Sequence, residues 1–316
     1  MSVRKASAAF ALLFLAGFAP QASAEPVAEI ARPDFLAEGV AVTPKGAILV
    51  SGVQGRTILK LTADGAQPWL KGPATGGLFG MAVDARRNRL WVAQTGGDKI
   101  PGGSGPRTAG VLEVRLSDGR VLSRHPAPDD GKPHWIGDLI VAADGTVYAS
   151  DSAGGDVYRL RPGARGLERL ARTGLASPQG LALTADGAGL ILADYSTGLH
   201  RIEIASGAVG PVIPAGDAEL RGVDGLTRHG RDLIATQNGT SRHRVLRLRF
   251  SPDERTIASV DILAVGLPEL EDVSLGAVDG GRFVFVARSG WAAFGEDGQP
   301  NGKPRPPSLV AAIPLG

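Results

Sequence analysis

The sequence predicts an all-β fold: a six-bladed β-propeller of four-stranded antiparallel blades. Three observations predict it. A short unit recurs: the apolar run Glu38-Gly39-Val40-Ala41-Val42, a turn at Thr43-Pro44-Lys45-Gly46, and a returning run Ala47-Ile48-Leu49-Val50. Its later copies open at Phe79, Gly137, Gln179, Asp224 and Glu271, spaced by 41, 58, 42, 45 and 47 residues, at or near the roughly 40–50 residues of a propeller blade. The 45 Gly and 22 Pro are spread as punctuation between β-rich runs. Turns such as Ala63-Asp64-Gly65, Ala143-Asp144-Gly145 and Ala185-Asp186-Gly187 recur, and no long stretch beyond the first residues carries helical periodicity.

Taken in order, residues 1–24 read as a signal peptide. Arg4 and Lys5 form its positive start, Ala8 to Phe18 its apolar stretch, and Ala22-Ser23-Ala24 a small-residue cleavage signature. The apolar run is too short to span a bilayer, so the expectation is an exported, periplasmic or secreted protein, free of the membrane once cleaved. Residues 25–316 are expected to form a single propeller domain. The chain has 34 Lys+Arg against 32 Asp+Glu, and two of the basic residues belong to the leader. The balanced remainder gives no electrostatic footprint for nucleic acid. With no Cys, neither a disulfide nor a lipid anchor is available, and the apolar core has to suffice.

Ring closure is expected across the chain ends. The last copy supplies only three strands, Val273–Val278, Arg282–Ala287 and Ser308–Ile313, and the N-terminal run Val27–Ala31 is expected to add the fourth and hide an open edge. Two Gly- and Pro-rich insertions, Thr95–Ala109 and Ser289–Pro307, each follow a second strand. Antiparallel geometry returns that strand to the end where the first began, so both insertions overhang the channel mouth. The second carries Trp291 and Phe294.

Function is expected at that mouth. Glu38, Gln179, Asp224 and Glu271 open otherwise apolar inner strands, where an unpaired charge is expensive. The second-strand ends add Gln94, Asp151, Asp194, Gln237 with Asn238, and Arg288. Carboxylates and amides without Cys suit a hard divalent cation such as Ca²⁺, which can polarise an ester or lactone carbonyl and activate water. Asp64, Asp118, Asp144 and Asp186 read as turn formers instead. His134, three residues before the third opening, is a candidate base or ligand. His125, His200, His229 and His243 have no metal-ligand spacing. No G-x-S-x-G elbow, H-E-x-x-H motif or phosphate-cradling loop is present.

Glu38-Gly39, Ser177-Pro178-Gln179-Gly180-Leu181, Val223-Asp224-Gly225-Leu226, and Ala185-Asp186-Gly187 followed by Leu190-Ile191-Leu192-Ala193-Asp194 resemble the regucalcin–gluconolactonase–luciferin-regenerating family. The resemblance covers nearly the whole mature chain. It implies a six-bladed propeller with one divalent cation, usually Ca²⁺ or Zn²⁺, and often the opening of sugar lactones. It implies metal ligands at Glu38, Gln179 and Asp224, with Asp224 also the general base.

Departures accompany it. Gln179 stands in place of an Asn, and Gly137 in place of a second Asn, while Asp138 retains the acidic half of an Asn-Asp pair. Trp135 occupies the position of a substrate-binding Arg, which implies a less polar ligand. Glu271 is an additional carboxylate that compensates if it reaches the site. Two functions follow. One is an exported, metal-dependent lactonase or related ester hydrolase acting on a small lactone or ester. The other is a non-catalytic propeller binding a ligand or protein at the same mouth. Retention of Glu38 and Asp224 favours the first, and the altered middle of the site favours the second.

Mass spectrometry of exported protein should find an N-terminus at Glu25. A chain retaining Met1 would overturn the leader.

Overall fold

Each blade is built from the same local logic: alternating branched and small apolar residues pack on both faces of a strand, and a glycine or polar turn reverses it. The computed structural model describes residues 24–316, so the leader lies outside the described residues except for Ala24. The chain forms six four-stranded sheets. Their inner strands are Ala37–Val42, Gly77–Asp84, Ile136–Val141, Pro178–Leu183, Val223–His229 and Gly276–Asp279. In five sheets the strands pair in chain order. The helical content described is one 3₁₀ turn, Trp291–Ala293. No helix among the described residues is long and apolar enough to cross a membrane.

The sixth sheet closes the ring. Its three C-terminal strands, Gly276–Asp279, Arg282–Arg288 and Ser308–Pro314, are joined by Glu25–Ile30. Glu25 pairs antiparallel with Ala312 and Ile30 with Ser308, with a bulge between Pro26 and Ala28 where proline lacks an N–H to donate. Closure by the N-terminal strand is as expected from the sequence.

Six apolar clusters hold the ring together, one at each junction between blades. At the closing junction Ile30, Val40, Val50, Val284 and Val310 meet. Between the second and third blades Trp91, Val111, Ala149 and Leu160 do so. Backbone approach is close near the axis. A Cβ on Gly39 would lie 2.7 Å from the Phe79 carbonyl oxygen, and one on Gly180 would lie 2.6 Å from that of Asp224. The glycine after each of these opening residues is therefore required by packing.

Five inner strands share one irregularity. Register shifts fall between Ala37 and Val40, Leu78 and Met81, Ile136 and Asp138, Pro178 and Leu181, and Val223 and Gly225. A bulge leaves a residue out of the ladder and re-aims its side chain. Each shift spans an opening residue: Glu38, Phe79, Gly137, Gln179 and Asp224. The sixth inner strand pairs regularly from Gly276 to Asp279.

The two insertions pack against one another beside the first blade. Ile100, fully buried, joins a core cluster on which Trp291 and Phe294 rest. Arg56 donates to the Gly102 carbonyl at 2.6 Å, and Arg305 donates to the Phe35 carbonyl at 2.9 Å while covering the Phe294 ring at 5.5 Å.

Deleting residues 25–30 should leave Ser308–Pro314 as an unpaired apolar edge and drive aggregation. The milder Ile30→Ala should cost about 2–5 kcal/mol, read as a lower melting temperature. A deletion variant that stays monomeric with unchanged melting would overturn this role for the closing strand.

Candidate functional site

The bulged openings of the inner strands meet at one end of the channel around a cavity of ≈ 430 Å³. Glu38, Asp138, Asp224 and Asp272 supply carboxylates there, with Gln179, Asn238, Ser152 and Tyr195 adding neutral polar groups. Phe79, Trp135 and Trp291 form aromatic walls, and among the described residues no lysine, arginine or histidine lines the cavity.

The acids are surrounded by protein but wetted by the channel: Glu38 is buried, and Asp138 and Asp224 are half-buried. Burial pushes the Glu38 carboxyl well above its usual range, and the charge of Asp224 adds to this, against hydrogen bonding from Trp291 and Ser274. Burial likewise raises Asp224, opposed by Ser274 and Asn238. Asp138 is pushed up to about 8, chiefly by burial, with Asp224 adding and the Leu139 and Leu181 backbone amides opposing. Mutual repulsion without a cationic side chain makes these acids a coupled set.

Two of them are held in place. Trp291 Nε1–H donates to Glu38 Oε2 at 2.6 Å. Asn238 Nδ2–H donates to Asp224 Oδ2 at 3.0 Å and to the Val273 carbonyl at 2.9 Å, and Tyr195 donates to Asn238 Oδ1 at 2.9 Å. Ser274 lies beside both Glu38 and Asp224, 1% exposed, yet its Oγ has no partner in good hydrogen-bond geometry. Gln179 donates from Nε2 to Ser177 Oγ at 2.8 Å. Trp135 stands edge-on to Phe79 at 5.6 Å, with the Arg107 guanidinium 5.8 Å from its ring.

Other expected residues are placed elsewhere. Glu271 is exposed and lines a surface hollow with Lys303 and Arg305. The sixth blade reaches the mouth instead through Asp272, Leu275 and Trp291, with Ser274 buried behind them. Arg288 pins the second insertion, donating to the Pro307 carbonyl at 2.8 Å. His134 is buried between Asp151 at 2.6 Å and Asp130 at 3.1 Å, edge-on to Tyr158. Asp194 accepts backbone N–H bonds from Ser177, Ser196 and Thr197, and Asp151 does the same for Trp135, Ala153 and Gly154. Gln237 donates to the backbone carbonyls of Glu219 and Arg221, and Gln94 donates to Thr75. These groups shape loops and do not line the mouth.

Sequence reasoning missed Ser274, Tyr195 and Asp272. Asp272 accepts the Ala292 N–H at 2.7 Å and so anchors the 3₁₀ turn that presents Trp291. No consistent spacing marks Ser274: left-handed hairpin glycines follow Glu38, Gly137 and Gln179 by eight residues but Asp224 by six.

Among the described residues, no three His, Cys, Asp or Glu side chains converge closely enough to hold a metal ion by themselves. A cation at Glu38 and Asp224 therefore needs neutral oxygens as well. The Ser274 hydroxyl beside the two acids is such an oxygen, and the donor set is all-oxygen, which fits a hard cation.

No protein-family model and no curated protein matches the chain. Solved structures do. A gluconolactonase from Xanthomonas campestris superposes with a TM-score of 0.61 at 19% identity, covering 94% of this chain and 99% of that one. The fold is shared. A luciferin-regenerating enzyme gives a TM-score of 0.63 at 12% identity, covering 93% and 95%. The PQQ-bound aldose sugar dehydrogenase of Streptomyces coelicolor gives 0.60 at 15%, covering 92% and 98%. Identities this low establish the six-bladed architecture and leave the chemistry to the residues of the mouth.

The raised acids set a pH dependence. Between about pH 4, where free carboxyls ionise, and pH 8, where Asp138 does, the folded protein holds protons that the unfolded chain has released. Stability therefore falls as pH rises through this window. In chelator, the melting temperature should decline from pH 5 to pH 8, and Asp138→Asn should flatten part of the decline. A flat or rising profile would contradict the burial of these charges.

Proposed function

We propose that the protein is an exported, divalent-cation-dependent hydrolase that opens a small lactone or a related ester at the channel mouth. One observation carries the reading. The charge of Asp224 bears directly on the buried Glu38, with the Ser274 hydroxyl beside both acids, in a mouth lined by no basic side chain among the described residues.

Glu38 and Asp224 would hold the cation, with Ser274, the Gln179 amide oxygen and water completing its shell. Ca²⁺, which accepts about 6–8 oxygen ligands in flexible geometry, is the first candidate and Zn²⁺ the second. When bound, the cation supplies Lewis-acid polarisation of a carbonyl and lowers the pKa of water. Asp224, oriented by the Tyr195–Asn238 pair, takes the proton from the attacking water. The new bond forms to the carbonyl carbon, the ester C–O bond breaks, and the proton passes to the departing alkoxide.

Trp291 roofs the site and holds Glu38, while Phe79 and Trp135 wall it off from bulk water. Without a basic group to grip a highly hydroxylated or anionic substrate, these walls favour a less polar lactone or ester. The same walls, with the space at Gly137, favour the second reading, a binding propeller that holds such a ligand without turning it over.

Calorimetry with Ca²⁺, Zn²⁺, Mg²⁺ and Mn²⁺ should show saturable binding of at least one, weakened about tenfold or more in Glu38→Gln and Asp224→Asn. On a panel of lactones and aryl esters, Asp224→Asn should lower kcat by about 10²–10⁴, the contribution of a general base. Binding of none of the four cations would sink the metalloenzyme reading. Ligand binding without turnover would then establish the binding propeller.

A further inference from the structure

At the face of the ring opposite the mouth, a cleft of ≈ 470 Å³ opens between the second and third blades. This volume lies within the range of small-molecule sites, roughly 300–1,000 Å³. Arg87, Arg89, Trp91 and His125 line it from the second blade, and Arg161 from the third. Arg161 and Arg87 are well exposed, with side-chain exposures of 55% and 41%, and each already meets an acid outside the cleft, Arg161 with Glu168 at 2.7 Å and Arg87 with Asp84 at 3.0 Å. An exposed pair such as that of Arg161 is worth only about 0–1 kcal/mol and yields to a better-placed carboxylate.

The one acid lining the cleft is already committed. Glu113 accepts from Arg89 Nε at 2.5 Å and from the Ser123 hydroxyl at 2.5 Å, and its pKa is lowered despite burial by Ser123 and Arg89. As an ionised carboxylate it only accepts, so the single Ser123 proton goes to it. The 2.8 Å contact between Ser123 Oγ and His125 Nε2 must then be a donation from His125. In the neutral imidazole this leaves Nδ1 as a lone pair.

That lone pair has no partner, and neither does the neighbouring Trp91 Nε1–H. Both residues are over nine-tenths buried, Trp91 8% and His125 9% exposed, with ring centroids 5.8 Å apart. A buried donor and a buried acceptor left open side by side are rare in native interiors and call for a ligand or water. The two needs are opposite: the indole requires an acceptor, the imidazole a donor.

We infer that this cleft is a second ligand site, taking a small hydroxycarboxylate. The carboxylate accepts from Trp91 Nε1–H and pairs with the guanidinium groups, whose planar fork matches it. The hydroxyl donates to His125 Nδ1. This site stands independently of the chemistry at the mouth.

The test compares lactate with propionate, which has the same carboxylate but no hydroxyl, and with inorganic phosphate, all at constant ionic strength. Thermal melts and tryptophan fluorescence are read on wild type, Arg161→Gln, Trp91→Phe and Asp224→Asn. A ligand bound by the native state raises the melting temperature saturably. Lactate should do so at concentrations at least tenfold below propionate or phosphate. The response should be lost in Arg161→Gln and Trp91→Phe and kept in Asp224→Asn, which separates the cleft from the mouth. Arg161 is exposed, so its variant tests the site even if Trp91→Phe misfolds. No saturable response to lactate, an equal response in Arg161→Gln, or tighter binding of phosphate would each overturn the assignment.

Discussion

The pairing of Glu25–Ile30 with Ser308–Pro314 is the contact on which the mouth depends. In a ring each blade touches only its neighbours, and this one seam joins the two chain ends. Glu38 lies directly across it. Its carbonyl accepts the Leu275 N–H at 3.1 Å, its carboxylate accepts Trp291 Nε1–H, and the backbone before it is tied by the Ala37 N–H donating to Ser308 Oγ at 3.3 Å. Ser274, Leu275, Trp291 and Ser308 all belong to the sixth blade. The acid that opens the first blade is thus positioned almost wholly by the last, and Asp224 of the fifth reaches it only because the ring is shut.

Blade number, ring closure and the openings at Glu38, Gln179 and Asp224 were legible because turn chemistry and apolar runs repeat with the blade. The sixth opening was misplaced at Glu271 for a physical reason. Glu271-Asp272-Val273 imitates the acid-then-apolar pattern of Glu38-Gly39-Val40, but in that blade the regular ladder begins only at Gly276. Pattern alone favours the charged residue, and the distance to the hairpin glycine, eight residues from Glu38, Gly137 and Gln179 but six from Asp224, does not correct it. The aspartates at second-strand ends posed a similar ambiguity. Asp151 and Asp194 are followed by Ser-Ala-Gly-Gly and Tyr-Ser-Thr-Gly, and both spend their oxygens on the N–H groups of the turn that follows. Such local capping competes for any Asp beside a turn. Glu38 and Asp224 escape it because a bulge, not a turn, surrounds them.

Three acids can share one wet channel because nothing else nearby needs their charge. Basic residues are paired away from the mouth, as in Arg228 with Glu254 at 2.7 Å on an inner strand beyond it and Arg169 with Asp156 at 2.6 Å on an outer strand. In both pairs the acid is buried and the arginine partly so, and removing either arginine would leave a buried carboxylate without its partner. At the mouth the opposite arrangement holds: partners are neutral hydrogen-bond donors, Trp291 and Asn238. They lower the cost of each carboxylate without cancelling its charge. A site arranged this way keeps its negative charge uncancelled, which an arginine in the same place would neutralise.

The bulges explain how one architecture serves unlike chemistries. Four of the five bulged openings, Glu38, Gly137, Gln179 and Asp224, contribute no side chain to the interblade clusters, Phe79 being the exception, so they can change without disturbing the packing that their neighbours provide. Gly137 and Gln179 illustrate this: both occupy bulged openings, while Leu139 and Leu181 two residues on are buried in separate core clusters. Proteins below 20% identity with this chain superpose over nearly its whole length, since the repeated apolar positions alone maintain the ring. The residues that decide function sit at the few places where the ladder is interrupted. Trp291 extends the same principle from strand to loop. Its insertion is tied to the sixth blade by Asp272 and Arg288, which holds the indole over the mouth with its N–H on Glu38.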